Sequence, residues 1–204
     1  LQHVEPLISE TDDSAVQTQI QIEHFLNRGA PPVYIGFGSM PLKDQARNVP
    51  MMVKAIRSAG VRGVIGKFWD GTTGFEDADD LLFIRNYPHL KLFPRMAAVI
   101  HHGGAGTTAT CAVSGVPQII VPHILDQYYH AHKVYQAGLG PRPIWRKGLT
   151  AQKLAGAVTQ CLGDDRMRKR AQCVSEQIDI HAGLNRAVGY IESLTGLQHR
   201  HFKE

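Results

Sequence analysis

Residues 97–110 read AAVIHHGGAGTTAT: a short apolar run, two adjacent histidines, a glycine-rich turn and a pair of threonines. The apolar run suits a buried strand and TTATCAVSG suits a helix, so the stretch is a strand-to-helix handover. These residues make it a costly one. Glycine gives up backbone entropy and packs nothing, and a histidine pair is a poor end for a buried strand. The turn is composed as though something is held there.

The same alternation recurs on either side. VYIGF (33–37) lies between Pro31-Pro32 and Gly38-Ser39, and VRGVIG (61–66), LLFIRN (81–86), AAVIHH (97–102), PQIIVP (117–122) and PRPIW (141–145) read as further strands. Helices are expected over 45–59, starting or restarting near Pro50, and over DQYYHAHKVYQAG, closed by Gly138. TAQKLAGAVTQCL, DDRMRKRAQCVSEQIDIH and about 184–196 complete the helical segments. Strands alternating with helices predict an α/β fold: a doubly wound, Rossmann-like parallel sheet of about six strands with helices on both faces. Residues 1–30 read as a linker and entry helix, VQTQIQIEHFLNRG, and 31–204 as the domain. In such sheets a ligand lies beyond the carboxyl ends of the strands. GFGSM, HHGGAGTT and PHILDQ all fall there.

Composition narrows the class of partner. The chain has 204 residues, 43% of them hydrophobic, enough for one α/β domain with a substantial core. A formal charge of +4 suits an anionic ligand without selecting one. The basic run DDRMRKRAQ starts acidic and ends basic, as a helix dipole favours, and lacks the aromatic residues on which single-stranded nucleic acid stacks. No nucleic-acid partner is expected. Cys111, Cys161 and Cys173 are odd in number without metal-ligand spacing, which reads as reduced thiols. No stretch is apolar and long enough to span a bilayer, and LQHVEPLISETDDSA is no signal peptide, so a cytoplasmic location is expected.

The turn itself points to phosphate. Gly103, Gly104 and Gly106 let the backbone approach a ligand closely, and Thr107 and Thr108 offer hydroxyls and N–H groups where a helix starts. Such a helix end carries unpaired donors and partial positive charge. Side chains alternate along a strand, so His101 and His102 point to opposite sides. His102, next to the turn, is the ligand candidate and His101 the packed one. The register matches neither GxGxxG nor GxxxxGK[ST]. A tight turn with threonine caps and two packed histidines would also account for these residues.

From PPVYIGFGSMP through NYPHLKLFPRMAAVIHHGGAGTTATCAVSGVPQIIVPHILDQYYHAHKVYQAGLGP, the chain resembles nucleotide-sugar-dependent glycosyltransferases. Sterol and bacterial natural-product glucosyltransferases are the nearest group. The resemblance covers about residues 30–160 and only the C-terminal, donor-binding half of the two-domain GT-B fold. It implies that the acceptor-binding half, this half's partner, is absent from the chain. It implies further that His102 with Gly104, Ala105, Gly106, Thr107 and Thr108 holds the donor diphosphate, with Gly38 and Ser39 lining the same phosphates or the sugar. Asp126 and Gln127 would bond the sugar hydroxyls, and Tyr87, Pro88 and His89 would border the base and ribose. Thr110 stands where plant members have a glutamate on the ribose, leaving UDP against TDP open. His130 stands in place of a tryptophan, leaving the sugar open.

The implied activity is inverting transfer of a hexose, glucose first, from a UDP-sugar to a hydroxyl of a lipid, sterol or other small acceptor. The catalytic base would belong to the absent half, so this chain would bind donor without transferring it. The UDP-sugar is a co-substrate, and neither cofactor nor metal is expected. Asp77-Ala78-Asp79 reads as a solvated acidic loop, and His123, His130 and His132 lack the companions of a metal site. Trp69 reads as a loop anchor. A lipid acceptor would bring the protein to a membrane surface. Two alternatives remain at this level: a noncatalytic nucleotide-sugar-binding module, and a sugar-nucleotide epimerase. Asp126 alone also reads as the N-cap of the helix that follows it.

Overall fold

The computed structural model describes residues 13–37, 45–67, 75–85 and 87–195. Gly38, Ser39 and Trp69 lie outside the described residues. Five strands form one wholly parallel sheet: Val33–Ile35 (β1), Gly63–Gly66 (β2), Leu81–Ile84 (β3), Ala98–His101 (β4) and Gln118–Ile120 (β5). Their order is β3-β2-β1-β4-β5. Every strand residue is buried, as a sheet covered on both faces requires, which is why the strands read as continuous apolar runs.

The helices are Asp13–Asn27 (α1), Gln45–Ser58 (α2), His89–Leu92 (α3), Ala105–Val113 (α4), Gln127–Gln136 (α5), Ala151–Gly163 (α6), Asp165–Glu176 (α7) and Ile180–Thr195 (α8). Strand alternation sorts the core into two layers. Val33, Ile35, Ile65, Ile100 and Ile119 pack against α2 and α6, while Tyr34, Val64, Leu82 and Val99 pack with Phe25 of α1 and Cys111 of α4. Ile120 joins a smaller cluster with Ala131, Val134 and Ala171. Each fully buried isoleucine of this kind contributes about 1.5–3 kcal/mol. Among the described residues no helix is long and apolar enough to cross a membrane.

The layering locates the site. The chain leaves β1 for α2 on one face, and leaves the neighbouring β4 for α4 on the other. That reversal opens a crevice at the carboxyl ends of β1 and β4. Gly36 N–H, just past β1, donates to Ile100 O of β4 at 2.9 Å, so the two strand ends are tied together there.

Three local expectations change. PRPIW forms no strand: Ile144 N–H bonds Ile120 O at 3.1 Å, but Pro141 and Pro143 have no N–H to extend a ladder. The helix after β4 starts at Ala105, two residues before Thr107. Helix α2 runs through Pro50 rather than starting there. Helix α5 does end as expected, with Gly138 at a φ of 67°.

Candidate functional site

The turn is held from two sides. Gly103 has a φ of 89°, a left-handed conformation. Its N–H donates to His101 Nδ1 at 3.0 Å, and its carbonyl accepts from His130 Nδ1–H at 2.8 Å. These bonds fix both tautomers. With Nδ1 accepting, His101 carries its proton on Nε2 and donates it to Gln118 Oε1 at 3.0 Å. Gln118 Nε2 in turn donates to Thr108 O at 3.3 Å. His101 is fully buried, and burial pushes its pKa down to about 3, so the network contains a neutral imidazole. Thus His101 is the packed member of the pair. It positions the turn rather than facing it.

His102 lies on the other side. A Cβ placed on Gly104 would fall 2.5 Å from His102 Nε2, so the imidazole rests directly on the glycine that precedes α4. Glycine at 104 makes room for the ring. Burial lowers the His102 pKa, and the charge of Asp126 partly opposes that shift. Its Nδ1 is buried without a hydrogen-bond partner, and so is Thr108 Oγ1. Buried polar atoms are nearly always satisfied, so two orphans beside one turn mark a place where a ligand would complete the bonding.

Gly104 sits at the N-cap and supplies no side chain. The first helical bond runs from Thr108 N–H to Gly104 O at 2.9 Å, leaving the N–H groups of Ala105, Gly106 and Thr107 without intrahelical partners. The donors therefore come from 105–107, and Thr108 offers only its hydroxyl. Thr110 Oγ1 bonds back to Gly106 O at 2.9 Å and is occupied within the helix.

The β5–α5 loop forms the opposite wall. Asp126 stands at the N-cap of α5 with helical dihedrals and no side-chain cap bond. Its carboxylate is 63% exposed and lies 3.8 Å from His130 Nδ1. The capping role expected of Asp126 is therefore absent. Gln127 is buried, and its Oε1 accepts from the N–H groups of His123 and Ile124 at 2.8 and 3.1 Å. It braces the loop. Leu125 between them is 82% exposed with a φ of 48°, a strained conformation for leucine.

Tyr87, Pro88 and His89 lie at α3, which packs against α4, and the charge of His89 acts on His101. Pro88 precedes the helix. His89 Nε2 lies 3.3 Å from Tyr34 Oη and its ring stacks on Phe93 at 4.5 Å. Tyr87 packs on the second core layer, and burial raises its pKa. The acidic loop is engaged elsewhere: Asp77 Oδ1 accepts from Phe83 N–H, Asp79 pairs with Arg28 and Asp80 with Arg57. Sequence reasoning missed the His130 bond to Gly103. The signal was the Asp126–His130 spacing of four, which puts both on one face of α5.

Chemically, the site offers backbone donors at a helix N-terminus, an imidazole seated over them and a carboxylate opposite. Residues 79–182, just over half of the chain, match the family model described as erythromycin biosynthesis protein CIII-like, C-terminal domain. The chain belongs to this family. It is 38% identical over 147 residues to a sterol 3-beta-glucosyltransferase of Arabidopsis thaliana, covering 71% of this chain and 24% of that relative. It is 42% identical over 120 residues to the vancomycin aglycone glucosyltransferase of Amycolatopsis orientalis, covering 59% of this chain and 29% of that relative. The family member therefore spans about a quarter of the length of these relatives. Among solved structures, LpCGTa in complex with UDP superposes with a TM-score of 0.65 at 18% identity, over 78% of this chain and 40% of that one. The shared fold is one half of a GT-B glycosyltransferase.

Proposed function

We propose that this domain binds the donor of an inverting glycosyltransferase that moves a hexose, glucose first, from a UDP-sugar to a hydroxyl of a sterol, lipid or other small acceptor. One observation carries the reading: free N–H groups at 105–107 and the His102 ring converge at the topological switch point, beside two unsatisfied polar atoms. Two relatives named as glucosyltransferases support the sugar. In the reaction the acceptor oxygen bonds to the anomeric carbon as the bond from that carbon to the diphosphate breaks. Negative charge then builds on the departing diphosphate. Fixed donors from Ala105, Gly106, Thr107 and His102, with the Thr108 hydroxyl, stabilise it electrostatically without a metal. Gly38 and Ser39 would flank the phosphates, Asp126 and Gln127 would meet the sugar, and Tyr87, Pro88 and His89 would border the base. The acceptor's proton passes to a base on a separate acceptor-binding half, so this chain binds donor without turnover. A cytoplasmic location is part of the same proposal.

Calorimetric titration with UDP, TDP and UDP-glucose tests the division of labour. His102→Ala is expected to weaken UDP and UDP-glucose alike, by tenfold or more, since a charge-assisted bond is worth roughly 1.5–3 kcal/mol. Asp126→Ala is expected to spare UDP and weaken UDP-glucose. Its melting temperature should stay put, because no cap bond is lost. The same titrations in EDTA should match those in magnesium. Equal UDP affinity for His102→Ala and wild type would sink the assignment.

Binding should also take up a proton. Burial holds free His102 below its usual pKa, so it is neutral at pH 7.5, and a diphosphate beside it favours the charged form. UDP affinity is expected to rise as pH falls from 8 to 6. Titrations in buffers of different ionisation heat should show the uptake in wild type and none in His102→Ala.

A further inference from the structure

We infer that a cleft bordering the donor turn, between α2, α6 and the segment 142–149, is a second binding site, for a soluble amphiphilic anion. The ligand class is one phosphate or carboxylate on a flat, apolar body. The cleft has a volume of about 1400 Å³, ample for a small molecule when typical sites hold roughly 300–1,000 Å³. Arg142, Arg146, Lys147 and Lys153 line it, and no carboxylate is among its described lining residues.

These cations are unspent. Arg28, Arg57, Arg95, Arg166 and Arg168 each face a carboxylate within 4 Å. Among the described residues Arg142, Arg146, Lys147 and Lys153 have no such partner, nor any side-chain hydrogen bond. Four like charges around one concavity repel one another and raise the local concentration of anions. Guanidinium and ammonium together suit phosphate or carboxylate.

The apolar part is equally specific. Trp145 is 54% exposed and its ring lies 5.4 Å from that of Tyr128, tilted by 33°, so the pair forms an open aromatic plate on the cleft wall. Ile144 and Leu149 extend that wall inward, where they pack on the core. His123 also lines the cleft, with a buried Nδ1 that has no hydrogen-bond partner. A flat ring against the plate and an anion among the four cations would satisfy both features at once. The β5–α5 loop is shared by this cleft and the donor turn: His123 and Tyr128 line the cleft, while the charge of Asp126 between them acts on His102 and that of His102 acts on His123.

The test uses 1-naphthyl phosphate as probe, with 1-naphthol as the uncharged body and inorganic phosphate as the bare charge. Calorimetry on the 204-residue chain is expected to show naphthyl phosphate binding at least tenfold more tightly than either part. Arg146→Gln/Lys147→Gln and Trp145→Ala should each weaken it tenfold or more while leaving UDP affinity and the melting temperature unchanged. Naphthyl phosphate bound equally well by the Arg146/Lys147 variant would overturn the proposal. So would loss of its binding in His102→Ala, which would assign it to the donor turn, and so would inorganic phosphate binding as tightly. Sedimentation with phosphatidylglycerol vesicles in the absence of naphthyl phosphate binding would put a bilayer surface there instead and reject a soluble ligand. Naphthyl phosphate binding in a protein that ignores UDP would support the cleft while sinking the donor reading.

Discussion

Gly103→Ala is expected to destabilise the domain by about 2–5 kcal/mol and to remove UDP binding with it. Two costs add at this position. A φ of 89° strains any residue with a Cβ, typically by about 1–2 kcal/mol. The new Cβ would also lie 2.8 Å from Ile120 Cγ2 and 3.1 Å from Gln127 O, the second of which is backbone and cannot swing aside. Overpacking of that kind costs roughly 1–3 kcal/mol. Relief by shifting the turn would break the bonds to His101 and His130 that hold it. Gly60 supplies the control, with a φ of 67° and no atom within 4 Å of its Cβ position. Gly60→Ala should show the strain alone. Urea unfolding of both variants separates the effects, and equal losses would mean that the packing around the turn contributes nothing.

Acid should unfold the protein through His101 before the carboxylates titrate. The His101 pKa is about 3 in the folded state against about 6.5 in an unfolded chain. The unfolded state therefore binds the extra proton, and stability present above pH 6.5 is lost as pH falls toward 3. Between pH 7 and pH 4 the loss from this one group is about 3 kcal/mol. His123, lowered to about 4 by burial and by Arg146, adds a smaller loss of the same sign. Asp80 and Asp164 are held below the usual carboxylate range and act only in stronger acid. In His101→Phe the imidazole is gone, so stability at pH 7 should be lower but its fall toward pH 4 shallower. A wild-type curve parallel to that of the variant would show that His101 titrates normally.

Much of this architecture is legible in the amino-acid order. The period-two pattern that separates Val33 and Ile35 from Tyr34 is the physical basis of both layers, and the same rule assigns His101 inward and His102 outward. What escapes a linear reading depends on partners distant in the chain. PRPIW has the composition of a strand, yet its prolines deprive it of ladder donors. Asp126 has the ideal identity for a cap but adopts helical dihedrals, and Gln127 braces the loop instead. The basic cleft is assembled from α2, α6 and two loops, so no local motif announces it.

The all-parallel order β3-β2-β1-β4-β5 has a kinetic consequence. No hairpin can nucleate such a sheet, because every neighbouring pair must await a crossover. The pairing that joins its two halves brings Val33 to Ala98, across the whole of α2, β2 and β3. Closing so long a loop is an entropic barrier and a slow step in folding. The crevice between β1 and β4 exists only after that step. A ligand seated there has nothing to grip beforehand, and so would lengthen the lifetime of the folded state without hastening its formation.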